Sequence, residues 1–559
     1  MIPEAPAAAT KAATNTVTSS VLVEGTNVSK QLGGLLSIAI YREFNKIPTA
    51  RLIWQDGAVE AQTFAKSDSP HFVPGKTLDV QVGYQSHENS VFRGLIVRHS
   101  VRAQLNKPSV LELECKDAAV KMTLLRHSRY FYNQADSDLF RQLIGHYPAL
   151  RVGELATTTP QHAELVQHQA TDWDFLVLRA EANGLVVVVN DGEISIIKPA
   201  AAAQTALKAI HGQSIVELEA SLDGRTHWPA VTATTWDYTQ QELRQEQANG
   251  DSPAGANNNF AADFYGTTPV PFYHGGDLAT EQLRAWATGK QTKSTLSRMQ
   301  ARVRMRGLDA RPGQTLELQH VGDRFNGKYL ISSIMHQVYG GTWLTDMQLG
   351  LGVQGFAELP GTLETPPAAG LFPGVRGLHC GVVSKIGGDT REGKHRVQVR
   401  IPYLAKAEGG EQQAEGIWAR LSTLYAGAER GFVFRPELGD EVILGFINDD
   451  PNDAIILSAV HSNRYAAPLD ATDDNFQKGF IAKSGMRLLF DDDAKSILLE
   501  TKEGYSVLLS DKDSKLEMKD KNGNSIVLNE SGITLNSAKD LTLKAAANVK
   551  IEGLKIDLN

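Results

Sequence analysis

The chain has 559 residues, a formal net charge of -8, 42% hydrophobic and 21% charged residues. That is the composition of soluble globular protein, and it offers no bulk attraction to nucleic acid or to an anionic membrane. Only two cysteines occur, Cys115 and Cys380, which excludes a disulfide framework or a Cys-rich zinc site; both are expected to be ordinary buried thiols.

At ~150 residues per domain the length predicts about three or four domains. Residues 1–20 are rich in Ala, Thr and Ser and lack the basic region and apolar run of a secretory signal. They are expected to form a flexible tail on a protein made in the cytoplasm. No apolar stretch approaches the ~20 residues that span a bilayer.

Over residues 21–120, short runs such as Val21-Leu22-Val23, Leu35 to Ile40 and Leu78 to Val82 mostly alternate apolar with polar, which predicts a β domain. Residues 121–260 read as an α+β region. Asp136-Ser137-Asp138 can cap a helix through Leu139, Phe140, Leu143 and Ile144. Thr171-Asp172 precedes a second helix that Gly184 ends. A buried strand follows at Leu185 to Val189, and Asn190-Asp191-Gly192 is a hairpin turn into Ile194 to Ile197. The polar stretch Gln240 to Asn259 reads as a loop or linker.

Residues 261–360 carry helical spacing from Leu278 to Met299, then strands to Gly350. A Pro/Gly-rich hinge, Leu359 to Gly374, is followed over 375–465 by strand-like runs that suit a small barrel, among them Arg396 to Ile401 and Glu441 to Phe446.

Residues 476–559 differ in kind. Short β-runs recur every eight to ten residues or so, with Leu488, Leu498, Leu508, Leu516, Ile526, Ile533, Leu541, Val549 and Ile556 as leading inward positions. A run of ~4 residues has one apolar face. A ribbon of such runs leaves that face wet and does not offset the entropy of ordering its backbone. The array therefore predicts closure. A three-chain prism fits the ~85 residues better than a single-chain solenoid, which needs more turns and a cap; the regular register disfavours an ordinary antiparallel meander.

Several motifs together resemble the VgrG-type spike of type VI secretion and the equivalent hub-and-spike proteins of contractile phage tails and extracellular contractile injection systems. They are Gln169-Ala170-Thr171-Asp172-Trp173-Asp174-Phe175-Leu176, Asn326-Gly327-Lys328-Tyr329-Leu330-Ile331 with His336, Pro436 to Phe446 with Asp450-Pro451, and Lys483-Ser484-Gly485-Met486 with Phe490-Asp491-Asp492. Asp117 to Thr123, Tyr130-Phe131-Tyr132 and Asp136-Ser137-Asp138 lean towards the extracellular injection systems.

The resemblance implies a mainly β fold with minor α. Two hub β-barrel domains lie at 21–120 and 261–360 around the α+β insertion at 121–260. An OB-fold collar spans 375–465 and a trimeric intertwined β-prism needle spans 476–559. The implied function is mechanical: a homotrimer caps the inner tube of an injection machine and pierces a target envelope on sheath contraction. It is released or ejected as part of the particle. The implied partners are tube and baseplate proteins, a PAAR-like tip protein at the C-terminus and cargo effectors.

No catalytic, cofactor or metal residue is assigned, and no enzyme activity is expected. Gly388 to Lys394 has phosphate-loop spacing, but His395 replaces the Ser/Thr that would bind magnesium. His162 and His168 read as surface histidines. Asp491-Asp492-Asp493 lacks the spacing of a calcium loop and reads as a solvated turn. Asp172 and Asp174 resemble paired acids, but one serves better as a helix cap. Trp418, Tyr425, Phe432 and Phe434 give the collar stacking aromatics, but acids rather than bases surround its main motif, which disfavours nucleic acid. A polysaccharide-degrading β-helix enzyme and a trimeric receptor-binding fibre remain as alternatives.

Overall fold

A computed structural model of the chain describes residues 16–558 except 61, 106, 160, 201–206, 238–239, 251–264, 276–277, 360–366, 390–394 and 403–415. The chain divides into two units, Met1–Thr365 and Pro366–Asn559. The Asn257-Asn258-Asn259 part of the expected linker, most of the Gly388 to Lys394 loop and residues 1–15 lie outside the described residues.

In the first unit a 13-stranded sheet contains both halves expected as barrels. Leu35–Glu43 and Gly327–Tyr339 join them by antiparallel pairing, with Ile40 opposite His336. Alternation builds the core. Ile38, Ile40, Leu52, Trp54, Val80, Leu111 and Leu113 bury one side of the early strands, and Met299, Ala301, Val303, Ile334 and Met347 do the same in the later ones. The first strand is Val17–Val23, paired with Thr77–Tyr84. It starts inside the expected tail, because burying Ser20, Val21 and Val23 needs the preceding residues to complete the ladder.

Four α-helices are present among the described residues: α1 (Val28–Leu32), α2 (Asp136–Gly145), α3 (Asp172–Ala182) and α4 (Thr280–Ser297). Helices α2 and α3 share a core of Leu139, Phe140, Leu143, Leu176 and Val177 with strands Val186–Asn190 and Glu193–Ile197. Asp191 and Gly192 take φ of 52° and 81° in the hairpin between these strands, as a two-residue turn of that twist requires.

Helix α3 ends as expected: Gly184 has φ +68°, and Leu185 N–H donates to the Ala180 carbonyl. Gly184 also meets Gly289 of α4 so closely that a Cβ on it would lie 2.7 Å from the Gly289 Cα.

The polar stretch after Gln240 is not simply a loop. Glu242–Asn249 is a strand paired antiparallel with Ala230–Asp237. Its sequence looks like linker because only alternate positions are partly covered, on a small core with Leu283 and Ala287 of α4.

In the second unit, His379–Lys385, Arg396–Arg400, Ile417–Leu421, Ala454–Ala459 and Glu441–Phe446 close a five-stranded barrel. Val383, Val397, Val399, Ala419, Val442, Leu444 and Ile456 fill it. Cys115 is buried as expected, but Cys380 is exposed. The strand pleat turns Gly381 and Val383 inward and leaves Cys380 outside.

The terminal repeat forms a seven-stranded sheet from Gln477–Ile481 to Gly532–Asn536, each strand antiparallel to the next. The connectivity within one chain is thus the meander that register disfavoured. Turns containing Gly485, Gly504 and Gly523, all at positive φ, reverse the chain between strands.

Candidate assembly face

The sheet register sorts the repeat into two unlike faces, since residues directly opposite in an antiparallel pair project to one side. One column runs Phe480, Leu488, Leu499, Val507, Met518, Ile526 and Leu535. A second column on the same face runs Phe490, Ile497, Leu509, Leu516, Leu528 and Ile533. Every one of these side chains is apolar, and Leu499, Met518, Ile533 and Leu535 are among those that stand exposed.

The opposite face carries Leu489, Leu498, Leu508, Glu517, Val527 and Thr534 down its centre. Ion pairs stand on this face as well. Arg487 Nε donates to Glu500 at 2.6 Å, and Lys519 Nζ lies 2.8 Å from Glu517. Leu498 and Leu508, expected to lead inward, therefore project from the charged face, while Leu488, Leu516, Ile526 and Ile533 lie on the apolar one. A one-residue difference in phase reverses the side a strand residue faces.

After Asn536 no strand is formed among the described residues, yet Leu541, Leu543, Val549, Ile551, Ile556 and Leu558 continue the spacing and are exposed. At the other end Phe434 of the barrel stacks on Phe480, with ring centroids 5.6 Å apart and planes 16° apart.

Asp136, Asp172, Asp174 and His162 are placed differently from the sequence expectation. Neither aspartate caps α3: the Thr171 hydroxyl accepts from Asp174 N–H at 3.0 Å. Asp172 is fully buried and accepts from Tyr147 Oη and Gln167 Nε2, each at 2.9 Å. Burial and that hydrogen bond push the Tyr147 phenol up to about 12. Burial raises the Asp174 carboxyl.

Helix α2 has Ala135 at its N-cap, without a side-chain bond. Asp136 is used elsewhere: it accepts from Arg179 Nε and Nη2 at 2.7 and 2.8 Å and from Asn183 Nδ2 at 2.9 Å. His168 is exposed, but His162 is buried. Its Nε2 lies 2.9 Å from Asp136, and its Nδ1 lies 2.7 Å from Gln282 Nε2 of α4. With Gln282 donating to Nδ1, the ring carries its proton on Nε2 and donates to Asp136. Burial opposes charge on Asp136, yet Arg179 and His162 hold its carboxyl well below the usual range.

The Asp491-Asp492-Asp493 turn disperses its charge: Asp491 accepts from Gln477, Asp492 pairs with Lys478 and Asp493 with Lys512. Among the described residues no group of three or more His, Cys, Asp or Glu could hold a metal ion, and no helix is long and apolar enough to cross a membrane.

Comparison with known proteins places these features in order. Residues 379–461, the closed barrel, match the model of the type VI secretion system/phage-baseplate injector OB domain. Residues 496–559, the apolar-faced array and its tail, match the phage baseplate V C-terminal trimerisation domain. Residues 13–340 match the Alg8 N-terminal domain.

Among curated relatives, the actin cross-linking toxin VgrG1 of Vibrio cholerae is 31% identical over 157 residues, 26% of this chain and 14% of that one. The type VI secretion system spike protein VgrG5 of Pseudomonas aeruginosa is 23% identical over 344 residues, 56% of this chain and 42% of that one. The chain thus spans less than half the length of either relative. A 43 kDa tail protein of prophage MuSo2 from Shewanella oneidensis aligns with a TM-score of 0.46 at 12% identity, over 60% of this chain and 98% of that one.

A mainly β chain with an injector OB barrel followed by a trimerisation array is a VgrG-like hub-and-spike protein of the phage-tail-like injection systems. By a match over more than half of its length, the chain belongs to the Alg8 N-terminal domain family.

Proposed function

We propose that this chain is the homotrimeric spike at the tip of the inner tube of a contractile injection machine, and that sheath contraction drives it through a target envelope. The observation that carries this reading is the apolar face of the terminal array. A single chain leaves two columns of Leu, Ile, Val, Phe and Met side chains in water. Fully burying such a side chain is worth ~1.5–3 kcal/mol, so three copies wrapped around one axis gain what one copy forgoes. The charged face, with its Arg487–Glu500 and Lys519–Glu517 pairs, then meets solvent.

The role is mechanical rather than catalytic. Its acids are tied up in structural bonds, as Asp136 and Asp172 are, and energy for the stroke comes from the sheath. The first unit is the hub that meets tube and baseplate, and the spike travels with the particle. Residues 541–558, with Leu541, Leu543, Val549, Ile551, Ile556 and Leu558 exposed, are the seat of a PAAR-like tip protein, and cargo effectors ride on the same assembly. The run Asp117 to Thr123, with Tyr130-Phe131-Tyr132, favours the extracellular injection-system branch.

The test is co-sedimentation of the chain with assembled particles, followed by deletion of residues 549–559. The spike is expected in intact particles, and the deletion is expected to release the tip protein. Particles that contract and kill without the chain contradict the proposal.

A further inference from the structure

The barrel carries an apolar surface that its own core does not cover and that meets the strand array through Phe434. Residues 422–435 are exposed throughout. Within them Leu424 is 88% exposed, Val433 70% and Phe434 64%. This is not a loose loop. Ala426 pairs with Gly431 and Gly427 with Arg430. Phe432 N–H donates to the Tyr425 carbonyl at 2.9 Å, and Thr423 Oγ1 donates to the Phe432 carbonyl at 2.9 Å. The Arg430 guanidinium sits over the Tyr425 ring at 5.8 Å. A hairpin this well ordered holds its apolar side chains out in fixed positions, which is how a docking element is built.

The patch also has a direction. Phe432 stacks near Phe434 at 6.4 Å, and Phe434 stacks on Phe480 at 5.6 Å. Phe480 heads the apolar face of the strand array, whose later part matches a trimerisation domain. The surface is therefore continuous with the face that three copies bury. The Lys483–Glu437 ion pair, at 3.1 Å, holds the start of the array beside the barrel strand that follows the hairpin.

We infer that the Leu424–Phe434 hairpin is a clasp: it packs on the barrel of a second copy of this chain and locks the collar into the same trimer as the needle. The inference rests on the trimeric reading. It assigns the exposed Tyr425, Phe432 and Phe434 to protein contact between copies rather than to base stacking.

The test uses the full chain with a photo-crosslinking residue in place of Val433, alongside native mass measurement of the same preparation. Crosslinking between chains, to dimer and trimer bands on a denaturing gel, is expected. A Val433→Cys variant that also carries Cys380→Ser, because Cys380 is itself an exposed thiol, is expected to lose reaction with a thiol reagent at position 433 in the assembled protein and to regain it when denatured. A trimeric chain whose position 433 crosslinks only within itself and labels freely overturns the clasp while leaving the trimer standing. A monomeric chain overturns both. The double variant Leu424→Ser/Val433→Ser, whose changes lie on exposed positions outside the barrel core, is expected to remain trimeric through the needle but to melt its collar earlier. An unchanged collar melt contradicts the clasp.

Discussion

Arg179 grips Asp136 with two nitrogens, Nε at 2.7 Å and Nη2 at 2.8 Å, and so ties α3 to the first turn of α2. Asp136 is buried, and His162 and Asn183 donate to its remaining lone pairs. Breaking such a pair by removing one partner leaves an uncompensated charge. Asp136→Asn is expected to lower the stability of the first unit by about 3 kcal/mol, read as a fall in the urea midpoint. Pairing it with Arg179→Met is expected to recover part of that loss.

The hub is expected to weaken in mild acid through His336. Burial, with Arg42 and Arg311 nearby, lowers its proton affinity from an ordinary 6.5 to about 3. Below pH 6.5 the unfolded chain therefore binds a proton that the folded chain refuses. The contribution is fully present above that pH and is lost as pH falls, by up to about 1.4 kcal/mol per pH unit. Asp117, whose carboxyl is raised by burial, works in the opposite sense nearer the carboxylate range. Melting temperatures of the parent and His336→Gln, measured from about pH 7 down to about pH 5, are expected to fall for the parent and stay flatter for the variant. Parallel profiles would show that His336 does not set the slope.

Neighbouring residues on one strand provide a sharp control for the assembly face. Ile526 lies opposite Leu535 on the apolar side, and Val527 lies opposite Thr534 on the charged side. Ile526→Lys is expected to disperse the assembly. Val527→Lys, placed across from Glu517, is expected to leave it intact. Size-exclusion chromatography with light scattering reads the difference, and equal effects of the two would refute the face assignment.

Helices α3 and α4 touch through two glycines. A Cβ on Gly289 would stand 2.7 Å from the Gly184 Cα, so backbone rather than a flexible side chain would have to move. Gly289→Ala is expected to destabilise the first unit by roughly 1–3 kcal/mol, although alanine favours a helix interior over glycine. A thermal melt that rises instead would mean the helices can part at no cost.

Local features were legible in the sequence. The Asp191-Gly192 turn, the Gly184 helix end and barrel strands such as Arg396–Arg400 and Glu441–Phe446 each carry their signal within a few residues. The array was legible as an unsolved burial problem, but its facing was not: Leu498 and Leu508 are as apolar as Leu488, and only the pairing register shows which side they take. The Asp136–His162–Gln282 chain joins residues brought together from distant parts of the sequence, and no local pattern announces it. His162 read as a surface histidine because its strand alternates among polar residues. The Leu424–Phe434 hairpin looked like barrel sequence with aromatics suited to stacking, and its exposure appears only once the barrel closes without it.

The central claim is that the apolar face of the terminal array is buried by two further copies of the same chain. Native mass spectrometry of the 559-residue chain tests it most directly. A chain of 60.8 kDa is expected to appear at three times that mass and to fall to single chains with Ile526→Lys. A parent protein that flies as a monomer at every concentration would contradict the account.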